Sequence, residues 1–328
     1  MPLQSNYPAL QEVSPTTFSS RATSRASAPD GVDPTSTGEI KLRADLSVIV
    51  AAALRREAAV PAISVYDLTT AQAVVAASER MSRPVILLIP PTAAKGVSGA
   101  RFIRALRSVA DDASVEVSLQ LDHAHDIVLI EHAVAAGVDA VLADGSSLPD
   151  EENVTFVTRV RGLVGPDIVL EAELGNLAGD EDRAHIAQSA AESTAGMTDP
   201  TAVPAFLAAS GAQLLAVAVG NVHGHYTGTP HLDWARIAAI QSAASPIPLV
   251  LHGASGIPHG QLAAAPAHGI GKINFNTELR DSIFHTLADK AQQWRDNGLD
   301  LGGLLGDWSE AASVFVSSTH RLIAGAVE

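Results

Sequence analysis

Among its 328 residues the chain has no cysteine. That excludes a disulfide framework, a thiolate metal site and a cysteine nucleophile together. Basic residues are also short: 21 Lys and Arg face 36 Asp and Glu, for a formal net charge of −15. Nucleic acid and anionic membrane both require a positive field, so neither is an expected partner. A small anionic substrate stays open, because a local ring of amides, histidines, arginine and metal can overrule the global sign. No continuous apolar run is long enough to cross a bilayer. The N-terminus lacks a basic start followed by an apolar block, so no secretory signal is expected. These absences suit a soluble, cytoplasmic protein.

What is present is a chain that is 47% hydrophobic, enough to build one large core or two smaller ones. Residues 1–38 stand apart. They are rich in Ser, Thr, Pro and Ala, with apolar residues scattered without a period. Such a stretch buries too little surface to offset its ordering entropy, and a flexible low-complexity tail is expected there. Arg21 and Arg25 among serines resemble a transit peptide, but Glu12, Asp30 and Asp33 argue against one. Residues 39–328 are expected to form the folded domain.

Within that domain short apolar, β-branched runs alternate with helical stretches. The runs are 60–67, 84–90, 115–122, 138–144, 167–174, 212–220, 247–253 and 270–276, the last leading into one long helix. Their apolar character on both sides is that of buried parallel strands. Eight β/α units over roughly 250 residues predict a (β/α)8 TIM barrel, with 42–57 as a capping helix. A doubly wound sheet is the competing architecture. It would place a glycine-rich fingerprint after the first strand, and Asp67-Leu68-Thr69-Thr70 is not one.

In a barrel of this kind chemistry collects at the C-terminal strand ends. The polar residues fall there repeatedly. The third strand ends in "SLQLDHAHD" with Asp122 and His123, and the fourth ends at Asp144. The fifth carries Glu171 and Glu173, the sixth ends in "GNVHG" with His223, the seventh in "LHGASG" with His252, and the eighth in "NFNTELR" with Asn274, Asn276 and Thr277. A lone histidine at a strand end is more often a hydrogen-bonded structural residue than a ligand. Three at equivalent ends would converge at the mouth, as three protein ligands around a catalytic zinc with one open position. His125 is expected to face the following helix. Gly224, Gly253 and Gly256 let backbone N–H groups approach an anion, with Ser255 adding a hydroxyl, although turn chemistry explains such glycines equally well. The polar insert 173–200 has the size of a lid or binding element, and its acids Asp180, Glu181 and Asp182 are either a solvated surface or the source of a general base.

Taken in order, "LDHAHD", "ADGSSLPDEEN", "EAELGNLAGDED", "MTDP", "AVAVGNVHGHY", "PLVLHGASGIP" and "KINFNTELR" resemble the class II, zinc-dependent fructose-bisphosphate and tagatose-bisphosphate aldolase family. The resemblance runs from about Leu42 through the last helix. It implies a Zn2+ cofactor held by His123, His223 and His252, with a monovalent cation as a further expectation. By the same resemblance Asp122 carries the proton of the hydroxyl at the cleaved bond. Glu181 is the loop base acting at the ketone-derived carbon, and Asp144 and Glu173 match positions that hold a second or displaced cation. Gly224, Gly253, Ala254, Ser255 and Thr277 match the cradle for the phosphate on the ketone half. Asn274 steadies the enediolate, Asn276 is a substrate contact, and Arg280 meets the distal phosphate. The partner implied is a small sugar phosphate, and the assembly a homodimer or homotetramer.

The chemistry suits these residue types. Splitting a β-hydroxy ketone leaves a carbanion, which a divalent Lewis acid on the neighbouring oxygens stabilises by several kcal/mol. The alternative Schiff-base route needs a pocket lysine with a lowered pKa. Of Lys41, Lys95, Lys272 and Lys290 only Lys272 falls on a barrel strand, ahead of its polar end. Some positions depart from the family: Ser64 stands where it places an asparagine, Pro90-Pro91-Thr92-Ala93 replace a Ser followed by Gly-Ala, and Ala178-Gly179 replace Gly-Gly. Fructose 1,6-bisphosphate is therefore not assumed. Two competing functions share the barrel: metal-assisted hydrolysis, which usually wants a paired His-x-His on the first strand, and sugar-phosphate binding without turnover.

Overall fold

The computed structural model describes residues 45–177, 196–222 and 230–325. The expected tail over 1–38 lies outside them. Eight strands close in chain order into one parallel barrel: β1 Val60–Ser64, β2 Val85–Ile89, β3 Val117–Ala124, β4 Ala140–Ala143, β5 Val169–Leu174, β6 Leu214–Val217, β7 Leu249–Leu251 and β8 Ile270–Phe275. Adjacent strands pair parallel throughout, and β1 closes on β8 with Ala62 opposite Asn274. The predicted TIM barrel is therefore present.

Strand alternation splits the core into two layers. Outward residues such as Ile63, Leu87, Leu119, Leu170 and Leu251 are buried beneath the helices. Inward residues Val60, Ala62, Ile86, Leu88, Ala140, Val169, Leu214 and Val250 form a second cluster with Leu46, Ile49 and Val50. Those last three belong to α1 (Leu46–Leu54), the expected capping helix. It plugs the N-terminal end of the barrel, and each such side chain contributes about 1.5–3 kcal/mol by burial.

Around the barrel run α2 Leu68–Met81, α3 Pro91–Ala94, α4 Gly96–Asp112, α5 Ile127–Ala136, α6 Asp150–Val164, α7 Val203–Ser210, α8 Trp234–Ala244 and α9 His259–Ala264. The starts of α2, α5 and α8 are set by side-chain caps. Asp67 accepts from the Thr70 N–H at 2.8 Å, and Asp126 from the Val128 N–H at 2.8 Å. The departure at Pro90-Pro91 has a structural expression, since Pro91 opens the short α3 at a position where its missing N–H costs nothing. Under α4, the Arg107 guanidinium donates to both oxygens of buried Asp139, at 2.9 and 2.7 Å. Asp139 also accepts the Leu119 N–H at 2.8 Å, which ties the helix layer to β3.

One expectation is corrected. The last long helix is two, α10 Thr277–Asp296 and α11 Leu301–Leu322. Between them Gly298 and Leu299 take positive φ, and Asp300 accepts the Gly303 N–H to start α11. Trp308 of α11 then donates its indole N–H to Thr70 Oγ1 at 2.9 Å, docking the helix on α2. No helix among the described residues is long and apolar enough to cross a membrane.

Candidate active site

Alternation alone would send Asp122 and His123 to opposite faces of β3. The strand avoids this by breaking its register between Leu121 and Ala124, where His123 adopts φ +37°. A non-glycine residue in the left-handed region is uncommon and needs support from its surroundings. Here the local kink brings both side chains to the mouth. Asp122 is 1% exposed. His123 Nδ1 lies 2.7 Å from Asp144 Oδ2, and Asp144 Oδ1 accepts the Ser146 N–H and hydroxyl, so the carboxylate is held rigidly behind the ring.

On the facing side, Glu171 and Glu173 project inward from β5, two positions apart on the same face. His252, which directly follows β7, lies between them. Its Nε2 is 2.9 Å from Glu171 Oε1, and its Nδ1 is 3.1 Å from Glu173 Oε2. Gly253 takes φ +58° and turns the chain away immediately afterwards. The His123 and His252 rings meet edge-to-face with centroids 4.9 Å apart. Among the described residues, His123, Glu173 and His252 form a group whose ligand atoms all lie within 4.8 Å of one another. Two imidazoles and a carboxylate are the nitrogen–oxygen donor set that suits a divalent zinc. The donors therefore fit the cofactor that the sequence implies.

Beneath this group lies a buried polar layer. Lys272, on β8, is fully buried with Nζ 2.8 Å from Glu171 Oε2 and 3.1 Å from Oε1. Gln120, on β3, donates to Glu171 Oε2 at 2.8 Å. Titration follows from these contacts. Burial would push His252 down, but its bonds to Glu171 and Glu173 outweigh that and raise it to about 9. Burial likewise opposes protonation of His123, yet Asp122 and Asp144 lift it well above the usual histidine value. Burial would raise Asp144 and Glu171; His123 holds the first, and Lys272 with His252 the second, well below the usual carboxylate range.

The rim between β1 and β8 carries the remaining expected contacts. Tyr66 Oη accepts from Asn276 Nδ2 at 3.1 Å, and the Arg280 guanidinium stands 5.7 Å from the centre of the Tyr66 ring. Asn274 is 2% exposed, and among the described residues neither its amide nitrogen nor its oxygen meets a hydrogen-bond partner. A buried amide left without partners costs about 1–3 kcal/mol, so this one is expected to meet a further group. Ala254, Ser255 and Thr277 are all buried at the same end. Glu181, His223 and Gly224 lie outside the described residues.

Several contacts were not foreseen. His125, expected to face the following helix, instead places Nδ1 2.6 Å from the Asp144 carbonyl oxygen from the loop before α5. The roles of Gln120, Glu171 and Lys272 as a buried layer had one visible signal: polar residues at every second position of otherwise apolar strands. Tyr66 had none.

Comparison with known proteins follows the same lines. A family model described as class-II fructose-bisphosphate aldolase matches residues 44–324. The YdjI aldolase of Escherichia coli K12 superposes with a TM-score of 0.76 at 27% identity, covering 87% of this chain and 98% of that one. A candidate fructose-1,6-bisphosphate aldolase from Coccidioides immitis gives 0.76 and 27%, covering 85% and 96%. The fructose-bisphosphate aldolase of Campylobacter jejuni matches at 0.69 and 19%, over 85% and 93%, a likeness of fold.

Proposed function

Because the chain belongs to the class II fructose-bisphosphate aldolase family, we propose that it reversibly cleaves a ketose phosphate into dihydroxyacetone phosphate and an aldehyde. A zinc ion would be held by His123, His252 and Glu173, with His223 as the further ligand that the sequence resemblance implies. Bound there, the cation would act as a Lewis acid on the substrate's carbonyl oxygen. Asp122, buried beside His123, takes the proton from the hydroxyl at the breaking bond and returns it in the condensation direction. Asn274 supports this reading through its buried amide, which meets no partner among the described residues and can donate to oxygen as negative charge develops. Glu181 handles the proton on the ketone-derived carbon. Gly224, Gly253, Ala254, Ser255 and Thr277 hold the near phosphate, and Asn276 and Arg280 meet the distal half.

The observation that carries this reading is the meeting of two histidines and a glutamate beside a buried aspartate at the barrel's C-terminal end. Purified zinc-loaded protein should be assayed for cleavage of fructose and tagatose bisphosphates and ketose monophosphates, with and without chelator. Asp122→Ala should lower turnover by about 10²–10⁴-fold while leaving metal content unchanged. Zinc-loaded wild type inactive on the whole panel would refute the assignment.

A further inference from the structure

We propose that Glu171, clamped by Lys272 and Gln120, is a positioning residue that fixes the ring of His252 so that Nδ1 faces the cation and Nε2–H points away from it. The inference rests on the proposed cation site and assigns work to residues outside it. The two edges of the His252 ring meet different carboxylates. Nδ1 faces Glu173 at 3.1 Å, and Glu173 belongs to the group able to hold a metal. Nε2 faces Glu171 at 2.9 Å, and Glu171 lies outside that group. A carboxylate accepting the far N–H of a ligating histidine sets its tautomer and orientation.

Glu171 can do this because it has no freedom of its own. It is fully buried, and its two oxygens accept from Gln120 Nε2 at 2.8 Å and Lys272 Nζ at 2.8 and 3.1 Å, besides His252. An isolated carboxylate in the barrel interior would be costly, and Lys272 compensates it. This also accounts for Lys272 itself. Its ammonium is ion-paired and fully buried, in the wrong state to attack a carbonyl as a free amine.

The test reads metal binding and geometry apart from turnover. In E171M/K272M both charges leave together and the volumes are nearly kept, which spares the fold an unpaired buried ion. Zinc affinity, measured by chelator competition, should fall about 10–100-fold, and the visible absorption bands of the cobalt-substituted variant should shift. A folded double variant with wild-type zinc affinity and wild-type cobalt bands overturns the proposal. Should that variant not fold, a crystal structure of zinc-loaded wild type decides, with zinc on Nδ1 of His252 expected and zinc on Nε2 fatal. Wild type that binds no zinc at this group instead overturns the proposed function, and this inference with it.

Discussion

Loading the site with zinc should expel protons, and the structure names the rings that hold them. Without metal His252 titrates at about 9, because its bonds to Glu171 and Glu173 outweigh burial. His123 is raised well above its usual value by Asp122 and Asp144 against burial. At pH 7 the His252 ring carries a proton and the shift of His123 favours one there too, whereas a ligating imidazole must be neutral. Removing the His252 proton at that pH costs roughly 2.7 kcal/mol, about a hundredfold in apparent affinity. Affinity should therefore climb about tenfold per pH unit for one displaced proton and about a hundredfold for two. Calorimetric titrations at pH 7, in buffers of different ionisation heat, count the protons directly. Release of one to two is expected from these rings. The metal-free protein provides an independent sign. A histidine raised from 6.5 to about 9 stabilises the fold fully below pH 6.5 and loses that contribution as pH rises through 9. Metal-free stability should thus decline by roughly 3 kcal/mol over that window, while the zinc-loaded form does not decline. Proton release near zero, or zinc affinity flat between about pH 6.5 and 8.5, would refute the reasoning.

Away from the site, His320 of α11 is 1% exposed against Ser78 Oγ, and burial, with Arg83, lowers it to about 4. It favours the neutral ring, so its contribution is complete above pH 6.5 and is lost as pH falls towards 4. His320→Gln should shrink the drop in unfolding free energy between pH 7 and 4.5 by roughly 2–3 kcal/mol in urea titrations, and equal drops in both proteins would sink the claim. Asp139→Ala strips Arg107 of its buried partner and leaves the Leu119 N–H unanswered, at an expected cost of about 3–5 kcal/mol by chemical denaturation; a loss under about 1 kcal/mol would contradict it.

The barrel was legible because its strands are buried on both faces, so each appears as a compact apolar run between turn residues. The runs overshoot at their C-terminal ends. Tyr66 and Asp67, for example, continue the β1 run in sequence but lie beyond the strand, which ends at Ser64. The break after Asp296 was marked by Asn297-Gly298-Leu299-Asp300, a stop followed by a cap, inside a pattern otherwise helical on both sides. At the site, His123 and His252 stood out because a strand end is a local feature. The layer beneath them was not, since alternating polar residues in one strand equally describe a face turned to water. Only closure of the sheet turns that face inward, pairing Glu171 with a lysine 101 positions away and Tyr66 with an asparagine 210 away.

Formal charge explains why so acidic an interior is tolerable. Asp122, Asp144, Glu171 and Glu173 are all buried, against the single ammonium of Lys272. Three negative charges remain, which a low-dielectric interior holds only if they are compensated. Two protonated imidazoles reduce the excess to one. A divalent cation with the same imidazoles neutral reduces it to the same value. On that formal count, exchange of one zinc for two protons leaves the electrostatic balance unchanged. It follows that a chain of net charge −15 can receive an anionic sugar without a basic surface. On the proposed reading, amides, hydroxyls and Arg280 would meet the phosphate, while the cation or the protons would cancel the carboxylates beneath.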